Sequence, residues 1–143
     1  MAEKRSTHKV HRGQTQYFRT SSAAQSSIAH PLVPKRAANS LFEQMATGSS
    51  IPADQLRQMI IPRASWKRAG QKLTASASQA ALRVERVFNL AKSIWGDASI
   101  AAQWLNRPHE ELSGATPLSF LKTESGGRCV EELLIALEHG FPV

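Results

Sequence analysis

The residues best suited to do chemistry lie between positions 63 and 72, where the chain reads RASWKRAGQK. Arg63 and Lys67 are spaced i, i+4, so a single helix face carries both cations. Arg68 and Lys72 form a second such pair if the helix continues that far. Guanidinium and ammonium groups neutralise phosphates, an arginine fork can also read a guanine edge, and a serine hydroxyl can bond either phosphate or base. Arg63, Ser65, Lys67, Arg68 and Lys72 are therefore candidate DNA-binding residues. The alternative is an ordinary solvated basic helix, because the spacing alone is not specific. Trp66, in the middle of the run, reads as packing into a small core.

Groups that could catalyse a reaction do not converge. His109 falls in a loop and His139 at a helix end, while His8 and His11 are spaced like a metal pair without further ligands nearby. Cys129 reads as a small core residue beside Val130, and Asp97 as a helix N-cap. Glu131, Glu132 and Glu138 read as a solvated helix face. With no glycine-rich phosphate loop and no metal-ligand spacing, the expectation is a protein that is not an enzyme and holds neither metal nor cofactor.

Composition fits that picture. The chain has 143 residues, 41% hydrophobic and 20% charged, with a single cysteine that rules out an internal disulfide framework. No apolar run approaches the roughly 20 residues of a membrane helix, and the basic N-terminus lacks the apolar stretch of a secretory signal, so a cytoplasmic protein is the default expectation. The net charge of +7 is unevenly spread. Residues 1–36 carry seven Lys/Arg against Glu3 alone, residues 37–73 five against two acids, and residues 74–143 six against eight. A basic front and a mildly acidic back suggest a nucleic-acid-facing part joined to a part with another task. A solvated basic tail on an ordinary domain is the alternative.

The elements that must position these groups are all helical. Residues 1–36 have few large apolar residues and no sustained period, so they read as a disordered basic tail. A first helix spans about Lys35 or Arg36 to Thr47, burying Ala38, Leu41, Phe42 and Met45 and stopping at Gly48. A second starts near Pro52 with Ile51, Leu56, Met59 and Ile60 on its apolar side, and Pro62 interrupts it. A third covers Arg63–Ala69 and closes at Gly70. Two short helices around a tight break, the second basic, outline a helix-turn-helix over residues 37–75. The fourth, capped by Ser76 or Ser78, runs to Trp95 with Leu82, Val84, Val87, Phe88, Ala91, Ile94 and Trp95 as its stripe. Arg83, Glu85, Arg86 and Lys92 fall off that stripe. Asp97 caps a fifth helix, whose Trp104, like Trp95, reads as a core anchor. Thr116 followed by Pro117 starts a sixth and Thr123 caps a seventh. On that last helix Val130, Leu133, Leu134 and Leu137 share one face, and Gly140 and Pro142 end it near His139. No strand pattern survives, so the expected fold class is all-α.

Taken together, the motifs after residue 82 have a recognisable order. They run from Phe88-Asn89-Leu90-Ala91 to Trp95-Gly96-Asp97, then Ala102-Gln103-Trp104-Leu105 with Arg107-Pro108. Leu112 with Gly114, Thr116-Pro117-Leu118, and Leu121 with Thr123-Glu124 and Gly126 follow. Val130-Glu131-Glu132-Leu133-Leu134 then leads to Glu138-His139-Gly140. This stretch resembles the C-terminal toxin-binding domain of the Xre/MbcA/ParS family of bacterial type II antitoxins. Leu56–Gln71 is similar, more loosely, to the family's Xre-type helix-turn-helix, whose basic run is only partly matched by Trp66-Lys67-Arg68. Ser113 stands where the family often has a second glycine.

The resemblance implies an N-terminal helix-turn-helix followed by a small toxin-binding domain over residues 76–143. Its partner would be a cognate RES-type toxin that destroys NAD. The antitoxin would dimerise and, with its toxin, bind operator DNA to repress its own operon. The implied toxin-binding residues are Glu138, His139, Gly140, Phe141, Pro142 and Val143, reaching the mouth of the toxin's NAD pocket. Phe141 and Val143 folding back on the chain's own core is the competing expectation. Two other functions compete: a stand-alone helix-turn-helix repressor, and an antitoxin of a ParT-like protein ADP-ribosyltransferase.

Overall fold

The computed structural model describes residues 31–140. Seven α-helices account for most of them: α1 (Lys35–Thr47), α2 (Ala53–Ile60), α3 (Arg63–Arg68), α4 (Ala75–Trp95), α5 (Ala98–Leu105), α6 (Pro117–Phe120) and α7 (Glu124–Glu138). A 3-10 turn at Glu110–Leu112 joins α5 to α6. The only strand-like pairing among the described residues is an antiparallel bridge between Pro34 and Lys72. The all-α class expected from periodicity is what the chain adopts.

The long helix α4 is the axis of the fold, packing on α5 along one side and on α7 along another. Helix α1 lies against α2 and α5. Phe42 and Met45 from α1, Leu56 from α2, Val84, Val87 and Phe88 from α4, Leu105 from α5, and Val130 and Leu134 from α7 belong to one continuous buried cluster. Truncating such side chains costs about 2–5 kcal/mol each, so this core outweighs any single surface contact. Gly48 ends α1 as expected, though not through a left-handed turn: a side chain there would meet the Ser99 backbone at 2.5 Å.

Local capping follows the sequence closely. Asp97 accepts from the Ile100 N–H, Thr116 from Ser119, and Thr123 from Gly126. Each such cap contributes about 1 kcal/mol. At α4 the expectation is corrected. Thr74, not Ser76 or Ser78, is the cap, accepting from the Ala77 N–H. Ser78 is buried instead, and its Oγ accepts from the Val33 N–H at 2.9 Å and donates to the Leu73 carbonyl. Together with Leu73 N–H to Val33 O and Lys35 N–H to Gln71 O, both 2.8 Å, this ties residues 33–35 to the segment before α4. Val33–Arg36, which composition groups with the basic tail, are thus held in place. Residues 1–30 of the tail, with His8 and His11, lie outside the described residues.

Ser113 occupies the left-handed region at φ 56°, ψ 36°. That is a backbone state glycine enters freely and serine only at a cost of about 1 kcal/mol.

Candidate functional site

The basic candidates separate into two places. Arg63, Lys67 and Arg68 are exposed on α3, and Ser65 is half-buried beside Trp66. α3 ends at Arg68, however, because Ala69 turns to extended backbone (φ −68°, ψ 135°). Lys72 is therefore not one turn beyond Arg68 on a longer helix, as the i, i+4 pairing required. It sits on the extended segment bridged to Pro34, where the backbone hydrogen bonds to residues 33–35 favour strand-like geometry over another helical turn. Gly70, the expected stop, lies beyond the true end. Lys72, Lys35 and Arg36 line a groove of about 660 Å³. A separate cleft of about 580 Å³ runs from the α2–α3 break, past Ser65, to Ser76 on α4 and to Arg83 and Lys122. Trp66 packs against the core as expected, half-buried.

At the other end of the chain, α7 finishes at Glu138 and His139 is its C-cap, donating its N–H to the Ile135 carbonyl. Gly140 follows at φ 72° and donates to Leu137. This is the left-handed glycine stop anticipated there. Glu138, His139 and Gly140 are all exposed, whereas Phe141, Pro142 and Val143 lie outside the described residues. The apolar face of α7 is only partly covered. Val130 and Leu134 are buried, but Leu137 is 36% and Ile135 45% exposed.

Leu133 and Leu137 form one wall of a groove of about 280 Å³ whose other walls are Trp95, Trp104, Arg107, His109 and Glu111. The ring centroids of Trp95 and Trp104 are 5.5 Å apart, and His109 lies 4.8 Å from Trp104. His109 Nε2–H donates to the Trp104 carbonyl at 3.0 Å, which fixes the imidazole against the indole. Trp104 is buried, as a core anchor should be. Trp95 is half-buried, with part of its surface in the groove. Reading both tryptophans as core anchors overlooked this groove. A readable signal was Pro108-His109 placed shortly after Trp104.

An ion-pair cluster fixes α7 to α4. Arg83, read as lying off the apolar stripe, is buried. Its Nε donates to Glu124 at 3.0 Å and its Nη1 to the Leu121 carbonyl at 2.9 Å. Arg86 donates to the second Glu124 oxygen at 3.1 Å and to Glu131. Glu131 is thus an interhelical partner and not part of a solvated face. The approach depends on two glycines: a side chain at Gly126 would run into the Phe120 carbonyl, and one at Gly127 would meet Arg83 Cδ at 2.9 Å. The glycine pair in an otherwise good helix was the readable trace of this contact. Cys129 also departs from expectation. It is exposed, because the buried face of α7 is set by Gly127, Val130 and Leu134.

Arg83 first, then Arg86, holds the Glu124 carboxyl below its ordinary range. A depressed carboxylate stabilises the fold above its unfolded pKa, and that contribution disappears as pH falls through the folded value. Glu124→Gln is therefore expected to lower the melting temperature by a few degrees at neutral pH and to flatten its decline below about pH 4. Thermal melts of both proteins from pH 3 to 7 check this. Parallel curves would show that Glu124 contributes nothing by its charge.

Among the described residues no three His, Cys, Asp or Glu side chains are grouped to hold a metal ion, and no helix is long and apolar enough to cross a membrane. The groove and the end of α7 belong to a stretch with known counterparts. Residues 90–140 match the family described as the antitoxin Xre/MbcA/ParS C-terminal toxin-binding domain. Residues 90–140 thus form a domain of the Xre/MbcA/ParS antitoxin family. Similar proteins include the antitoxin Xre of Pseudomonas putida, 34% identical over 59% of this chain and 55% of the relative. The antitoxin Xre of Photorhabdus laumondii is 44% identical over 49% of this chain and 48% of its own. That of Yersinia enterocolitica is 35% identical over 64% and 66% respectively. The chain thus spans about half the length of the first two.

Proposed function

We propose that this chain is the antitoxin of a type II toxin–antitoxin pair, neutralising its toxin through the end of α7 and repressing transcription through α3. The observation that carries the reading is the coincidence of two features within residues 90–140. These are an open aromatic groove at Trp95 and Trp104, and an exposed helix end at Glu138–Gly140 leading to Phe141-Pro142-Val143. Exposed leucine and tryptophan surface beside a polar helix end suits a protein partner better than bulk water. In this reading the cognate toxin is of the RES type, and residues 138–143 block its NAD-degrading site. The groove holds the toxin's adjoining surface.

The same proposal assigns operator DNA to Arg63, Ser65, Lys67 and Arg68, with Lys72 contacting backbone phosphate from the neighbouring extended segment. A homodimer in the bacterial cytoplasm would present two α3 helices to two half-sites. Co-expression with the product of the adjacent gene tests the central claim. The toxin alone is expected to arrest growth and deplete cellular NAD, and this chain to reverse both. Arrest with unchanged NAD and a newly ADP-ribosylated protein would move the assignment to a ParT-like toxin. The absence of any rescue would overturn the antitoxin reading.

A further inference from the structure

α3 poses a mechanical problem for any DNA-reading role. It has six residues, none of them buried, and an isolated helix of that length does not hold its shape in water. What orients it is Trp66, which projects toward the core between Lys35 of α1 and Arg57 of α2. Lys35 Nζ lies 5.0 Å from the indole centroid and also donates to the Ala69 carbonyl, at the end of α3, at 2.9 Å. The Arg57 guanidinium lies 4.3 Å from the same ring. It is held there by Asp54 at 2.6 Å and by a longer bond to Asn39 at 3.4 Å. Arg57 Nε is buried without a hydrogen-bond partner, so this part of the guanidinium has the ring beside it in place of water.

We infer that Lys35 and Arg57 are positioning residues: they clamp Trp66 and so set the angle at which α3 presents Arg63, Lys67 and Arg68. The proposal rests on the DNA-binding reading of α3 and adds to it two cations that act through an indole instead of through phosphate. Trp66 lies between Ser65 and Lys67 in sequence, so a shift in where its indole is seated carries the helix backbone, and with it every contact residue, to a new angle. Each cation–π contact at a half-buried ring is a substantial interaction, and Lys35 adds a hydrogen bond at the helix end. Both cations are already engaged within the fold. Their removal should therefore change affinity without changing how many counterions binding releases.

The test measures binding to a duplex carrying the chain's own promoter region over a series of salt concentrations. Lys35→Met and Arg57→Met are each expected to weaken binding about tenfold with an unchanged slope of log K against log[salt]. Lys35→Arg, which keeps the cation and a donor, should restore most of the affinity. The two cations come from different helices, so one variant still decides the matter if the other fails to fold. A slope reduced by about one in Lys35→Met would mean a direct phosphate contact and would overturn the positioning role. Wild-type affinity in both Met variants, alongside abolished binding in an Arg63→Ala/Lys67→Ala/Arg68→Ala control, would refute the clamp alone. An unaffected control would refute the DNA reading itself.

Discussion

Removing residues 140–143 is expected to abolish neutralisation of the toxin while leaving the antitoxin folded. The two halves of that expectation have separate grounds. Folding should survive because α7 is complete at Glu138, with His139 N–H already bonded to the Ile135 carbonyl. Among the described residues the deletion removes one backbone hydrogen bond, from Gly140 to Leu137. Neutralisation should fail because an aromatic, proline-stiffened segment seated in a pocket is the kind of anchor that dominates binding. Such anchors contribute about 2 kcal/mol or more, equivalent to roughly 30-fold in affinity. Calorimetric titration with the toxin, together with circular dichroism of the shortened chain, separates the two. Undiminished neutralisation by a folded, shortened protein would exclude the blocking role, and the groove between Trp95, Trp104 and Leu137 would then be the principal site of toxin binding.

The second large effect concerns DNA. Replacing Arg63, Lys67 and Arg68 by alanine together should weaken operator binding at least about 100-fold at physiological salt. It should also reduce the slope of log K against log[salt] by about three, one for each phosphate no longer neutralised. Toxin binding should not change, since α3 buries no side chain of its own and surface replacements of this kind alter stability by about 0.5 kcal/mol or less. Binding isotherms between about 50 mM and 300 mM salt provide the measurement. If affinity and slope both stay at wild-type values, α3 does not touch DNA. Lys72 is left out of the combination because it is not on α3, and its place on the extended segment calls for a separate, single replacement.

What could be read from the sequence was what is decided locally. An N-cap involves atoms three residues apart, so Asp97, Thr116 and Thr123 could be identified from side-chain chemistry and position alone. The stops at Gly96 and Gly140 and the buried stripe of α4 were equally accessible, because helical period and glycine preference act over a few turns. Apart from Cys129, whose exposure follows from the phase of its own helix, the main errors involve partners distant in sequence. Lys72 seemed to continue a helix because its bridge to Pro34, 38 residues earlier, cannot be seen in local spacing. Ser78 resembled a cap because Val33, which it binds, lies 45 positions away. Arg83 and Glu131 passed for surface residues, although each pairs across α4 and α7. The site shows the same division. The basic face of α3 and the end of α7 were legible as stretches, whereas the aromatic groove is assembled from three separate helices and the loop after α5.

The continuity of the core bears on how such proteins could be recombined. Ala38, Phe42 and Leu56, beneath the basic surface, share one buried cluster with Val130 and Leu134 of α7. A chimera joined near residue 75 would therefore cut through packed side chains where a tether would be needed. If α3 reads operator DNA as proposed, exchanging specificity between relatives would be safer by grafting the exposed positions of α3 alone, with Trp66 and its flanking cations left in place.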